Sequence, residues 1–131
     1  MDYNNFYVHL GRLLYSVAMS DGDVQESEID TFHTILRNEL VPLENSEDAY
    51  GTDSAYYAEF ELERLIDSKA DKNEAFTSFI MYMEDHHTAF DDKIKNLCLQ
   101  TSRKIAEAHA GVVPAESKML KELERKIQDQ E

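Results

Sequence analysis

Five carboxylates crowd one short stretch of the chain. Asp21, Asp23, Glu26, Glu28 and Asp30 follow one another in SDGDVQESEID, directly after an apolar helical pattern stops. Acids at this density can polarise a helix start, hold a divalent cation, or present a negative docking surface. The structural account is strong. Gly22 can take the left-handed conformation that ends one helix, and Asp23 with Glu26 forms a D-x-x-E capping pattern for the next. Each acid beside that positive helix end contributes roughly 0.3 to 1 kcal/mol. An EF-hand is excluded by spacing: with Asp21 as its first ligand, Glu26 stands where a glycine is needed and Phe32 where the bidentate glutamate belongs. An ion at this turn would therefore need ligands from elsewhere in the chain, and would bind weakly.

A second group of ligand-type residues lies in MEDHHTAFDD, which holds Glu84, Asp85, His86, His87, Asp91 and Asp92. His87 and Asp91, four apart, would share a face and could serve Zn²⁺ if one helix ran through them. A helix junction is expected to break that face, leaving a solvated helix end. His9 and His33 sit singly beside apolar stripes and read as boundary histidines. Cys98, the only cysteine, has Ile94, Leu97 and Thr101 as helical neighbours and reads as a buried thiol rather than a nucleophile. There is no P-loop, no Gly-rich dinucleotide turn and no nucleophile motif, and a crowded set of exposed acids offers nothing to separate their pKa values. The expectation is a protein that is not an enzyme.

The elements that must position these residues are helical throughout. At 131 residues the chain suits one domain. Phe6, Leu10, Leu13, Leu14 and Val17 make one stripe on a helix from about Tyr3 to Ser20. Ile29, Phe32, Ile35 and Leu36 mark a second helix, closed near Pro42. The polar stretch from Glu44 to Ser54 reads as a long loop. A third helix over about 53–68 carries Tyr57, Phe60, Leu62, Leu65 and Ile66 in the least tidy stripe of the set. Phe76, Phe79, Ile80 and Met83 define a fourth, ending near His86. A fifth runs from about Phe90 to Ala110, and a sixth starts at Pro114 and buries Met119, Leu120, Leu123 and Ile127, with residues 128–131 frayed. No alternating strand pattern occurs.

The net charge is -14, and it is unevenly placed. Residues 1–92 hold 21 acids against 5 bases, whereas residues 93–131 hold 6 against 8. Such a field repels nucleic acid and attracts cations or basic protein surfaces. No apolar run reaches the roughly 18 to 20 residues needed to cross a bilayer, and the first residues lack a signal-peptide pattern, so a cytoplasmic protein without membrane insertion is expected.

Shifting the sequence by 88 residues lays AMSDGDVQESEIDTFHTI over AEAHAGVVPAESKMLKEL without a gap. Ala18 meets Ala106, Val24 meets Val112, Glu28 meets Glu116, Phe32 meets Leu120 and Ile35 meets Leu123. The pair resembles the tellurite-resistance TerB family, in which an A-x-x-D-G-x-V/I-x-x-x-E unit occurs near both ends of an all-helical domain. The first copy keeps Ala18, Asp21, Gly22, Val24 and Glu28; the second keeps Ala106, Val112 and Glu116, with His109 and Ala110 replacing Asp-Gly. The resemblance covers about 20 residues at each end. It implies an all-α bundle of about six helices and two pseudo-repeated helix-turn-helix units, acting as a stress-associated binding module. It further implies a divalent cation (Ca²⁺, Mg²⁺ or Zn²⁺) held by Asp21, Asp23, Glu28 and Glu116, with His109 in place of an oxygen ligand either favouring Zn²⁺ or removing a ligand, and a protein complex at the cytoplasmic membrane face. The competing expectation is a metal-independent adaptor whose acidic helices over residues 53–92 dock a protein partner.

Overall fold

The computed structural model describes residues 3–20, 30, 34, 49–107 and 114–128. Five helices occur among them and no strand: α1 (Tyr3–Ala18), α2 (Ala49–Ser68), α3 (Lys72–Asp85), α4 (Asp92–Glu107) and α5 (Pro114–Gln128). The all-α expectation is met at that level. The expected second helix lies outside the described residues except at Asp30 and Thr34, where the Thr34 hydroxyl donates to the Asp30 carbonyl oxygen at 3.1 Å. No described helix is long and apolar enough to cross a membrane.

α1 is the hub, packing against each of the other four helices, while α5 also lies along α4. Its expected stripe of Phe6, Leu10, Leu13, Leu14 and Val17 is wholly buried, joined by Tyr7 and Tyr15. A helix apolar over so much of its surface belongs inside a bundle, not on one side of it. The expected faces of α3, α4 and α5 also turn inward, with Phe79, Met83, Cys98, Ile105 and Leu123 at their centres. Phe90, between α3 and α4, sits edge-on to Phe6, Phe79 and Tyr82 with ring centroids 5.8, 6.2 and 6.0 Å away. Such contacts add roughly 0.5 to 1.5 kcal/mol per pair beyond the area buried.

Two expectations about α2 are corrected. The helix starts at Ala49, so the second half of the loop expected over 44–54 is helical, Gly51 included. Polar first turns are tolerated when later turns pack, and one helical glycine costs only about 1 kcal/mol. The expected apolar face is also partly wrong, because Tyr57 is 42% exposed and Phe60 61% exposed. The inward face is instead Ala58, Glu61, Leu62 and Leu65, at i, i+3, i+4 and i+7.

Capping explains where the helices stop and start. Asp71 accepts from the backbone N–H of Asn73 and Glu74 at 2.7 and 3.0 Å, and Asp91 from that of Ile94 at 3.0 Å. α2 ends in a Schellman motif: the N–H of Ala70 donates to Leu65 O and that of Lys69 to Ile66 O. Lys69 carries φ 53° there, a left-handed conformation that costs a residue with a Cβ roughly 1 kcal/mol. Lys69→Gly should accordingly raise unfolding stability by up to about 1 kcal/mol in urea titrations; an unchanged or lower midpoint would show that the lysine side chain compensates for its backbone.

Candidate functional site

The polar centre of the bundle is built where α1, α2 and α3 meet. Glu61, 6% exposed on the inward face of α2, accepts from Arg12 Nε at 2.7 Å and from Arg64 Nε and Nη2 at 2.7 and 3.0 Å. The other arm of Arg12 donates from Nη1 to the Ser78 hydroxyl on α3 at 2.7 Å. A single guanidinium thus ties three helices through charge-assisted bonds. Burial pushes the Glu61 carboxyl up, but the hydrogen bonds from Arg64 and Arg12, with their charges, outweigh it and hold it below its ordinary value. The carboxylate is therefore ionised and fully engaged, which suits a structural anchor better than a proton-transfer group.

Beside this anchor a groove of about 530 Å³ opens between α1 and α3. Its floor is made of the rings of His9 and Tyr82, stacked with centroids 4.1 Å apart and planes 10° apart, and outside the groove His86 packs on Tyr82 at 4.2 Å with planes tilted by 33°. His9 Nδ1–H donates to Asn5 O at 2.8 Å, which leaves Nε2 as the acceptor of the neutral ring. Burial lowers the pKa of His9, Arg12 and His86 push the same way, and the Asn5 bond and Glu61 only partly oppose them. The neutral ring is favoured. Along α3 the groove is edged by Glu74, Thr77, Ser78, Met81 and Asp85, which the helical repeat brings to one side. Met81 is 58% exposed. An apolar centre bracketed by two carboxylates three turns apart is suited to hold an apolar anchor with flanking cations.

The residues singled out in the sequence fall differently. Asp21, Asp23, Glu28 and His109 lie outside the described residues, and so does the side chain of Glu116, although its backbone belongs to α5. The start of that turn is visible: Lys72 Nζ donates to the Ser20 carbonyl oxygen at 3.1 Å, and Tyr15 OH to Ala70 O at 2.7 Å, so the end of α1 is fastened to the α2–α3 corner. Ala18 and Ala106, paired by the repeat, are both buried near the ends of their helices.

The MEDHHTAFDD face is broken as expected, since α3 ends at Asp85 and α4 begins at Asp92. His86 and His87 each turn Nδ1 toward a main-chain carbonyl, of Tyr82 at 2.9 Å and Glu84 at 3.3 Å. Among the described residues no group of three or more His, Cys, Asp or Glu is placed to hold a metal ion. Cys98 is buried, and burial pushes its thiol far up, so it is no thiolate near neutral pH. Sequence reading missed the roles of His9, Arg12 and Glu61. The available signal was their polarity on otherwise apolar faces, His9 and Arg12 flanking Leu10 on α1 and Glu61 preceding Leu62 on α2.

No protein-family model matches this chain, and searches of curated proteins and of solved structures find no match either.

Proposed function

We propose that the chain is a non-enzymatic binding module that docks a basic protein segment in the groove between α1 and α3. The observation that carries this reading is the half-exposed Met81 beside the fixed His9–Tyr82 stack, bracketed by Glu74 and Asp85 on the same helix. A rigid aromatic floor loses little side-chain entropy on binding, and exposed methionine adapts to an apolar anchor. The acidic first two thirds of the chain steer a cationic partner toward it. The TerB resemblance is consistent with a stress-associated module at a protein complex. On that resemblance alone, Asp21, Asp23, Glu28 and Glu116, with His109, are proposed as a weak divalent-cation site beside the adaptor role.

One amide NMR series tests both. With chelator present, an amphipathic Lys/Leu helical peptide should give saturable shifts at His9 and along residues 74–85. Affinity should fall with added salt, and drop roughly tenfold in Glu74→Lys/Asp85→Lys. Shifts scattered over all acidic helices and untouched by the charge reversal would overturn the groove. Addition of Ca²⁺, Mg²⁺ or Zn²⁺ to the chelator-treated protein should shift only residues 20–28 and 109–116, and Asp21→Asn/Asp23→Asn should abolish the effect; no shift at millimolar ion removes the cation.

A further inference from the structure

Lys95 stands apart from the other cations of the described chain. It is only 8% exposed on α4, and its ammonium has no hydrogen-bond or ion-pair partner among the described residues. Asp91 and Asp92 lie at the i-4 and i-3 spacings that favour pairing. No such pair forms. Asp91 spends Oδ1 on the N–H of Ile94, capping the helix, and Asp92 stays exposed. The lysine instead lines a cavity of about 400 Å³ between α4 and α5, a volume within the range of small-molecule sites.

The rest of that cavity specifies the charge and shape of an occupant. Arg103 and Glu124 sit on opposite walls and pair with each other, so neither leaves a net charge to satisfy. Among the described residues the Lys95 ammonium is then the one cation there without a partner, with the amides of Asn96 and Gln128 also lining the cavity and Leu99 and Ile127 forming an apolar wall. An ammonium held at a cavity by a buried stem, with no protein partner, gains most from one compact anion that supplies charge-assisted hydrogen bonds. A dianion such as phosphate would also face the exposed Asp92, which a monoanion tolerates better. We infer that the cavity between α4 and α5 is a binding site for a small aliphatic monocarboxylate, its carboxylate on Lys95 and its methylenes on Leu99 and Ile127.

Hexanoate is a suitable probe, with hexanol as the uncharged chain of equal length and inorganic phosphate as the anion without a chain. Titrated into the full chain, hexanoate should give saturable amide shifts confined to residues 92–103 and 124–128. Hexanol and phosphate should each bind at least about tenfold more weakly, the loss expected when a charge-assisted bond or the apolar contact is missing. Lys95→Met keeps the buried stem and removes the charge, and should weaken hexanoate by about tenfold or more while leaving hexanol unchanged. If that variant does not fold, the hexanoate-to-hexanol ratio on the unaltered chain decides. Equal binding of hexanoate and hexanol, phosphate binding as tightly as hexanoate, or hexanoate affinity indifferent to Lys95→Met would each overturn the assignment.

Discussion

Arg12→Met should cost about 2 to 3 kcal/mol of unfolding stability at neutral pH, read from urea titrations. Methionine retains most of the apolar stem, so the loss isolates the guanidinium. What it leaves behind is the Glu61 carboxylate, buried and held only by Arg64, together with a Ser78 hydroxyl deprived of its donor. Removing one partner of a buried pair ordinarily costs about 3 to 5 kcal/mol, and the surviving Arg64 bonds bring the figure to the lower end. Arg64 itself is mostly exposed, so Arg64→Met should cost no more than about 1 kcal/mol. Replacing the pair together, Arg12→Met with Glu61→Leu, should recover most of the loss, because no buried charge then remains.

The pH dependence has a definite sign. Glu61 has its carboxyl lowered in the folded chain, so its contribution is present above the ordinary value of 4.5 and is lost as pH falls through the depressed folded value. In Arg12→Met burial opposes ionisation with less to offset it, and the stability gap between the two proteins should narrow as pH falls below 4.5. A loss no larger than that of Arg64→Met, or a gap independent of pH, would show that the three-helix tie is dispensable.

The same residues explain what could and could not be read from the sequence. α1, α3, α4 and α5 announced themselves because their contacts are made by large apolar side chains at helical spacing, and Phe6 through Val17 needed no knowledge of a partner. α2 did not, because its inward face sets Ala58 and Glu61 beside Leu62 and Leu65 while Tyr57 and Phe60 point outward. A carboxylate on an inward face reads as solvent-facing until the arginine that neutralises it is known, and Arg12 lies 49 residues away in the sequence. Periodicity carries no information about such a pairing. The His9–Tyr82 stack was hidden for a related reason, since each ring alone is an ordinary boundary residue and only the crossing of α1 with α3 brings His9 onto Tyr82. The acidic motif residues at Asp21, Asp23 and Glu28 were legible as a pattern, yet a pattern of acids serves capping and cation binding equally, and ligand geometry alone separates the two.

Gly11→Ala sets two effects of opposite sign against each other at the closest approach in the fold. On helix propensity alone the change should stabilise α1 by about 1 kcal/mol. A Cβ at Gly11, however, would lie 2.7 Å from the Ala58 carbonyl oxygen, 3.1 Å from Glu61 Cβ and 3.3 Å from Ala58 Cα. The nearest of these atoms is main chain of a neighbouring helix, so no side-chain rotation relieves it; α2 as a whole must move away. Overpacking of this kind costs about 1 to 3 kcal/mol, and the displacement also stretches the adjacent Arg12–Glu61 bond. The clash should win, for a net loss of about 1 to 2 kcal/mol, and Gly11→Val, which lacks alanine's propensity gain and is bulkier, should lose more. Because Gly11 and Arg12 act on the same Glu61, the loss in Gly11→Ala/Arg12→Met should fall short of the sum of the single losses by roughly 0.5 kcal/mol or more. Stabilisation by Gly11→Ala in calorimetry or urea titration would mean that α1 and α2 do not approach so closely, and the buried tie between them would have to be redrawn with it.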